Sequence, residues 1–188
     1  MGAKARKIDG FKLRYSGVKR TTNGVGILVK RNLVEQVVEV RHKSDRIMSI
    51  KLAVGSEILN VISVYAPQVE LGEEIKRLFW EDLDEVVQSI LQTEGLLIGG
   101  DFNGHIGSTG EGYEMVHGGL GYGVRNSGGM PILDFTVAYE PSIVNSYFRN
   151  IQEHLVTFKS GITRTQIDYF LMRANSRRWC RSLQSVAK

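Results

Sequence analysis

Cysteine is almost absent, and that absence excludes a good deal. The chain has 188 residues and a single cysteine, Cys180, so no internal disulfide can form. No Cys/His cluster has zinc spacing, and a reducing intracellular setting is the expectation. Long apolar runs are missing as well. The longest, residues 58–66 and 95–100, fall far short of the roughly 20 residues needed to cross a bilayer. The first residues, Met1-Gly2-Ala3-Lys4-Ala5-Arg6, are basic without a following apolar stretch of signal-peptide length, and Arg6 spoils a myristoylation pattern. A soluble protein without a membrane partner is expected. No P-loop, zincin or nucleophile-elbow motif occurs. The glycines Gly118, Gly119, Gly121 and Gly123 are not a dinucleotide fingerprint, because the next required glycine falls on Val124 and no strand precedes them.

What is present suits one globular domain, with 42% hydrophobic and 23% charged residues, and a chain this long can bury a sizeable core without disulfides. The net charge of +4 suits a polyanionic partner but lacks the density of a charge-driven DNA binder. Lys19, Arg20, Lys30, Arg31, Arg177, Arg178 and Arg181 are solvated by default, and pairs near strand ends could touch a phosphate backbone.

Short Val- and Ile-rich runs separated by turn signals predict strands over residues 12–15, 24–29, 34–40, 47–53 and 57–65. Ile75, Leu78, Phe79, Leu83, Val86, Val87 and Ile90 then recur at three- and four-residue steps, which predicts an amphipathic helix over 72–93 with its apolar stripe in the core. A buried strand over 96–100 follows. Next comes a glycine-dense loop, 104–129, too long to be a mere connector and expected to be functional or mobile. A helix over 131–139 and strands near Ile143, near Val156 and over 167–172 complete an α/β layered domain with no internal boundary.

Three segments could carry chemistry. In Gly99-Gly100-Asp101-Phe102-Asn103-Gly104-His105 an apolar strand ends in a carboxylate, an amide and an imidazole, at the kind of strand terminus where α/β folds place sites. Asp101 could hold a divalent cation or orient a water, and Asn103 could donate to a phosphate oxygen. Equally, the two could simply cap a turn. In Val64-Tyr65-Ala66-Pro67-Gln68 the Tyr65 phenol either reaches a phosphate or packs with a wet hydroxyl. In Gln166-Ile167-Asp168-Tyr169-Phe170 a carboxylate sits within an apolar strand. Burying Asp168 requires a cation, a histidine or backbone donors. His42, His117 and His154 show no partner in the sequence and read as structural or surface residues.

These segments, with 22–29 and Glu153-His154-Leu155-Val156-Thr157-Phe158, fall in the order seen in the endonuclease/exonuclease/phosphatase superfamily. Nearly the whole chain resembles retrotransposon-type (LINE) endonucleases of plants and their craniofacial-development-protein-2-like relatives. The resemblance implies a four-layered α/β sandwich, two mixed sheets face to face with flanking helices. It implies magnesium or manganese as cofactor, DNA as partner and hydrolysis of a phosphodiester. It assigns Asp101 to metal and the attacking water, Asn103 to the scissile phosphate, Tyr65 to its developing charge and Asp168 to orienting a catalytic histidine, with Gln68 and His105 as further substrate contacts. Two departures bear on activity. The family's metal-binding glutamate, expected upstream of 24–29, has no counterpart, Asp9 being the sole carboxylate there; its closing histidine has none after His154. Each such loss is worth roughly 10²- to 10⁴-fold in rate. The expectation is therefore a domain incomplete at both ends, with weak metal binding and weak or no catalysis. The alternative is a noncatalytic remnant that only binds nucleic acid or has lost function, and exposed sheet edges could lead to self-association.

Overall fold

A computed structural model describes residues 4–8, 11–15, 24–148 and 152–176. Asp9, Lys19, Arg20, Arg177, Arg178, Cys180 and Arg181 lie outside the described residues. The elements in chain order are β1 (Lys4–Ile8), β2 (Phe11–Tyr15), β3 (Gly26–Lys30), β4 (Val37–Ser44), β5 (Ile47–Val54), β6 (Glu57–Tyr65), α1 (Glu73–Gln88), β7 (Gly95–Asp101), α2 (Met130–Tyr139), β8 (Ser142–Ile143), α3 (Gln152–Leu155), β9 (Phe158–Ser160), β10 (Thr163–Thr165) and β11 (Asp168–Met172). The architecture is mixed α/β, with a six-stranded sheet ordered β4-β5-β6-β7-β11-β8, a three-stranded sheet β1-β2-β3 and the hairpin β9-β10. Two compact units divide the chain: Met1–Ala66 with Leu71–Ile98, and Pro67–Glu70 with Gly99–Lys188.

The first unit is built from hairpins. β2 and β3 are antiparallel, Phe11 opposite Lys30 and Tyr15 opposite Gly26. β3 alternates exposed and buried residues, so Ile27 and Val29 enter the core while Leu28 faces water, the period-2 consequence of a pleated strand. That buried side contacts β5. β5 and β6 pair from Ile47↔Val64 to Val54↔Glu57, and the turn between them places Gly55 at φ +63°, where a side chain would be strained. Ile47, Met48, Ile50, Ile62 and Val64 are almost wholly buried.

Two expectations in this unit need correction. Residues 31–36 form a 3₁₀ turn, and β4 starts only at Val37, so the strand expected over 34–40 begins later and runs to Ser44. The helix expected over 72–93 ends at Gln88. The Ser89 hydroxyl donates to the Val86 carbonyl at 2.7 Å, and the Ile90 N–H bonds back to Val87 at 3.1 Å. Local bonds of this kind tighten and close a helix end. Phe79, Leu83, Val86, Val87 and Ile90 are core, whereas Ile75 and Leu78 are exposed, so the apolar stripe enters the core only from Phe79 onward.

In the second unit α2 has a proline in its first turn, which needs no N–H there, and buries Ile132, Leu133, Phe135 and Thr136. β8 pairs antiparallel with β11, Leu171 opposite Ile143. Val156 is not in a strand: it lies between α3 and β9, and the pairing falls instead on Phe158–Ser160 with Thr163–Thr165. Among the described residues no helix is long and apolar enough to cross a membrane.

Candidate active site

The end of β7 makes a tight turn. The Phe102 N–H donates to the Ile167 carbonyl at 2.8 Å, so the residue after Asp101 is tied to the residue before Asp168. Asn103 then adopts φ +50°, a left-handed conformation that asparagine tolerates, and its N–H donates to Asp101 Oδ1 at 2.8 Å. Asp101 does cap a turn, then. It is nonetheless half-buried, and its pKa is pushed above the ordinary carboxylate range, first by burial and also by the negative charge of Asp168, against the opposing effect of the Asn103 N–H. The two carboxylates sense one another across this turn, as paired acids in functional sites do.

Asp168 is held by its backbone. Thr157 Oγ1 accepts the N–H groups of Ile167 at 3.0 Å and Asp168 at 3.1 Å. Behind it lies Tyr169, only 1% exposed. Its hydroxyl is 2.6 Å from the Gln166 carbonyl and 3.0 Å from that of Gly104, and it accepts the Ile106 N–H at 3.4 Å. Burial pushes this phenol far up, so it stays neutral and bridges the Asp101 turn to the start of β11. Gln166 is buried with its Oε1 lacking a hydrogen-bond partner among the described residues. Neither Tyr169 nor Thr157 was singled out by the sequence, although Tyr169 follows Asp168 and Thr157 lies in the segment 153–158, both in motifs already read there.

The glycine-rich stretch 104–129 is packed. A Cβ on Gly129 would lie 1.8 Å from the His105 carbonyl oxygen, and one on Gly104 2.2 Å from that of Gly128; two backbones cross where no side chain fits. Asn126 Oδ1 accepts the N–H groups of His105 and Gly129, each at 2.9 Å. Arg125 donates to the carbonyls of Ile106 at 3.2 Å and Glu111 at 3.0 Å. His117, 2% exposed, accepts the Gly119 N–H on Nδ1 at 2.9 Å and has Nε2 3.2 Å from the Gly107 carbonyl. The proton therefore sits on Nε2. Burial, with Arg125 adding to it, lowers its pKa. His117 is thus a structural histidine whose partners, all backbone groups, no sequence spacing could reveal.

The structure brings together Asp101, Asn103 and Asp168 and places the half-buried His105 in the same turn. Gln68, exposed, stands in the short segment Pro67–Glu70 assigned to this unit. Tyr65 ends β6 in the other unit, where its N–H donates to the Arg46 carbonyl at 2.9 Å. The described residues contain no group of three or more His, Cys, Asp or Glu able to hold a metal ion. A magnesium ion held through one or two carboxylates, with water and phosphate completing its shell, needs no such cage. Asp101, half-buried at the end of β7, fits that weaker mode.

The fold that carries this turn is a known one. The chain is a protein of the endonuclease/exonuclease/phosphatase fold. It superposes on the endonuclease domain of TRAS1, a telomere-specific non-LTR retrotransposon, with a TM-score of 0.64 at 13% identity, covering 91% of this chain and 70% of that one. It superposes on the 3′ phosphatase NExo from Neisseria, bound to a product DNA hairpin, with a TM-score of 0.62 at 16% identity, covering 88% and 67%. In sequence it is similar to Craniofacial development protein 2 of Tragulus javanicus and of Bos taurus, 31% identical to each over 166 residues, 87% of this chain. The chain spans 28% and 27% of the length of these two relatives. No family model matches it.

Proposed function

We propose that the chain is a nuclease-type domain that binds DNA and hydrolyses a phosphodiester weakly, with Asp101, Asn103 and Asp168 at its centre. The observation that carries this reading is the backbone bond from Phe102 to Ile167, which ties the half-buried Asp101 to the residue before Asp168, on a fold shared with a retrotransposon endonuclease domain and with a 3′ phosphatase bound to DNA. Burial raises the pKa of Asp101, with Asp168 adding to it, and shifts of that direction are common in catalytic acids and metal ligands. Asp101 has one oxygen committed to the Asn103 N–H and one available to orient a water or a cation. The Asn103 side chain is assigned to a non-bridging phosphate oxygen, with Gln68 and His105 as neighbouring contacts. When bound, magnesium supplies positive charge against the developing charge of the phosphate. The described residues offer no cage of three protein ligands, and weak metal binding with slow turnover is the reading that follows.

Nicking of supercoiled plasmid in magnesium tests this, beside Asp101→Ala and chelator controls. The expected result is slow relaxation reduced at least about 100-fold in Asp101→Ala and abolished by chelator. Plasmid binding without any magnesium-dependent nicking would reject hydrolysis and leave a DNA-binding domain.

A further inference from the structure

Arg46, in the turn between β4 and β5, has a charge with no carboxylate partner among the described residues. Its guanidinium carbon lies 5.2 Å from the centre of the Tyr65 ring. One terminal nitrogen donates to the carbonyls of Tyr65 at 3.1 Å and Ala66 at 3.4 Å, both in the same unit. No ion pair involves Arg46 among the described residues, although Asp45 is its neighbour in the turn. By contrast Lys43, Lys51, Lys76 and Arg77 each have a carboxylate partner. A guanidinium carries five N–H donors in a rigid fork, and the two carbonyls engage only one of its nitrogens. Stacking and carbonyl bonds fix its plane, so little further ordering is needed to bind a planar or tetrahedral oxyanion.

We propose that Arg46 is a phosphate-binding residue that receives a backbone phosphate of a bound nucleic-acid strand beside Tyr65. This rests on the nucleic-acid reading above and adds to it a cation that no sequence motif marked. The same two carbonyl bonds make Arg46 a positioning residue for the Tyr65-Ala66 strand exit, so the charge and the phenol are presented as a unit.

The test measures binding of the full chain to a fluorescent DNA duplex across a range of NaCl concentrations. In Arg46→Gln the slope of log Kd against log salt should fall by about 0.9, the loss of one phosphate contact, with roughly tenfold weaker binding at low salt. Binding by the wild type with an unchanged slope in Arg46→Gln would overturn the assignment alone. A wild type that does not bind DNA would overturn the nucleic-acid reading, and this inference with it. Should Arg46→Gln fail to fold, the wild type still decides: its Arg46 side-chain Nε–H NMR signal, assigned by its loss in Arg46→Lys, must move on adding the duplex, and a stationary signal refutes the contact.

Discussion

Asp101 shows at the scale of one residue how function and stability pull apart. Its raised pKa means that the native state binds its proton more tightly than the unfolded chain, whose value is near 3.8. The stability this contributes is complete below that value and lost as pH rises through the native one. At neutral pH the charged carboxylate is therefore a liability. Asp101→Asn keeps an oxygen to accept the Asn103 N–H and removes the cost of burying a charged carboxylate, to which Asp168 adds. It should raise Tm at about pH 7, and the gain should vanish below about pH 4; thermal melts at the two pH values check this. A neutral-pH Tm lower than that of the wild type would mean that Asp101 is stabilised by partners and is not poised for chemistry. The sequence made the residue visible because an apolar run ended in Asp-Phe-Asn-Gly. It could not show that Asp101 both caps the turn and meets Asp168, since the pairing of Phe102 with Ile167 that joins them spans distant parts of the chain. Arg46 was invisible for a related reason: an arginine in a turn reads as solvated until its stacking and carbonyl partners are seen.

Among the elements, those with a strong period were the legible ones. β5, β6, β7, α2 and β11 lie within a residue or two of where apolar alternation or helical spacing put them. Short pieces such as β9 and β10, three residues each, are defined by pairing across a turn more than by composition. The stretch 104–129 was legible only in part. Its length left function or mobility as the alternatives, and the structure adds that several of its glycines stand where backbones cross, so the loop packs against the Asp101 turn. Gly129→Ala would drive a methyl into the His105 carbonyl, 1.8 Å away. We expect a loss of more than about 3 kcal/mol, the scale of severe overpacking. At Gly112 a Cβ meets nothing within 4 Å and only the positive φ of +79° opposes it. Alanine there should cost about 1–2 kcal/mol. Urea melts of the two variants give the comparison; equal costs would show that the crossing at Gly129 is loose and that the loop is not closely packed there.

For the whole molecule the question is whether the carboxylate pair governs an equilibrium of the entire fold. A cation that binds only the native state stabilises it by RT ln(1 + [L]/Kd), about 1.4 kcal/mol at a tenfold excess over Kd. In a chain of 188 residues that corresponds to a rise in Tm of roughly 3–6 °C. Magnesium should therefore raise Tm in the millimolar range in the wild type, and Asp101→Asn should lose most of that rise. The net charge of +4 makes ionic strength a competing cause, because salt alone screens repulsion among like charges. Sodium chloride at matched ionic strength separates the two: it acts equally on wild type and variant, whereas a bound divalent ion does not. Relief of the Asp101–Asp168 repulsion further requires the magnesium shift to grow as Asp101 ionises and to shrink toward acid pH, where proton and cation compete for the same oxygen. A shift that is independent of pH and identical in Asp101→Asn would place any bound ion elsewhere and would remove the metal from the account of this site.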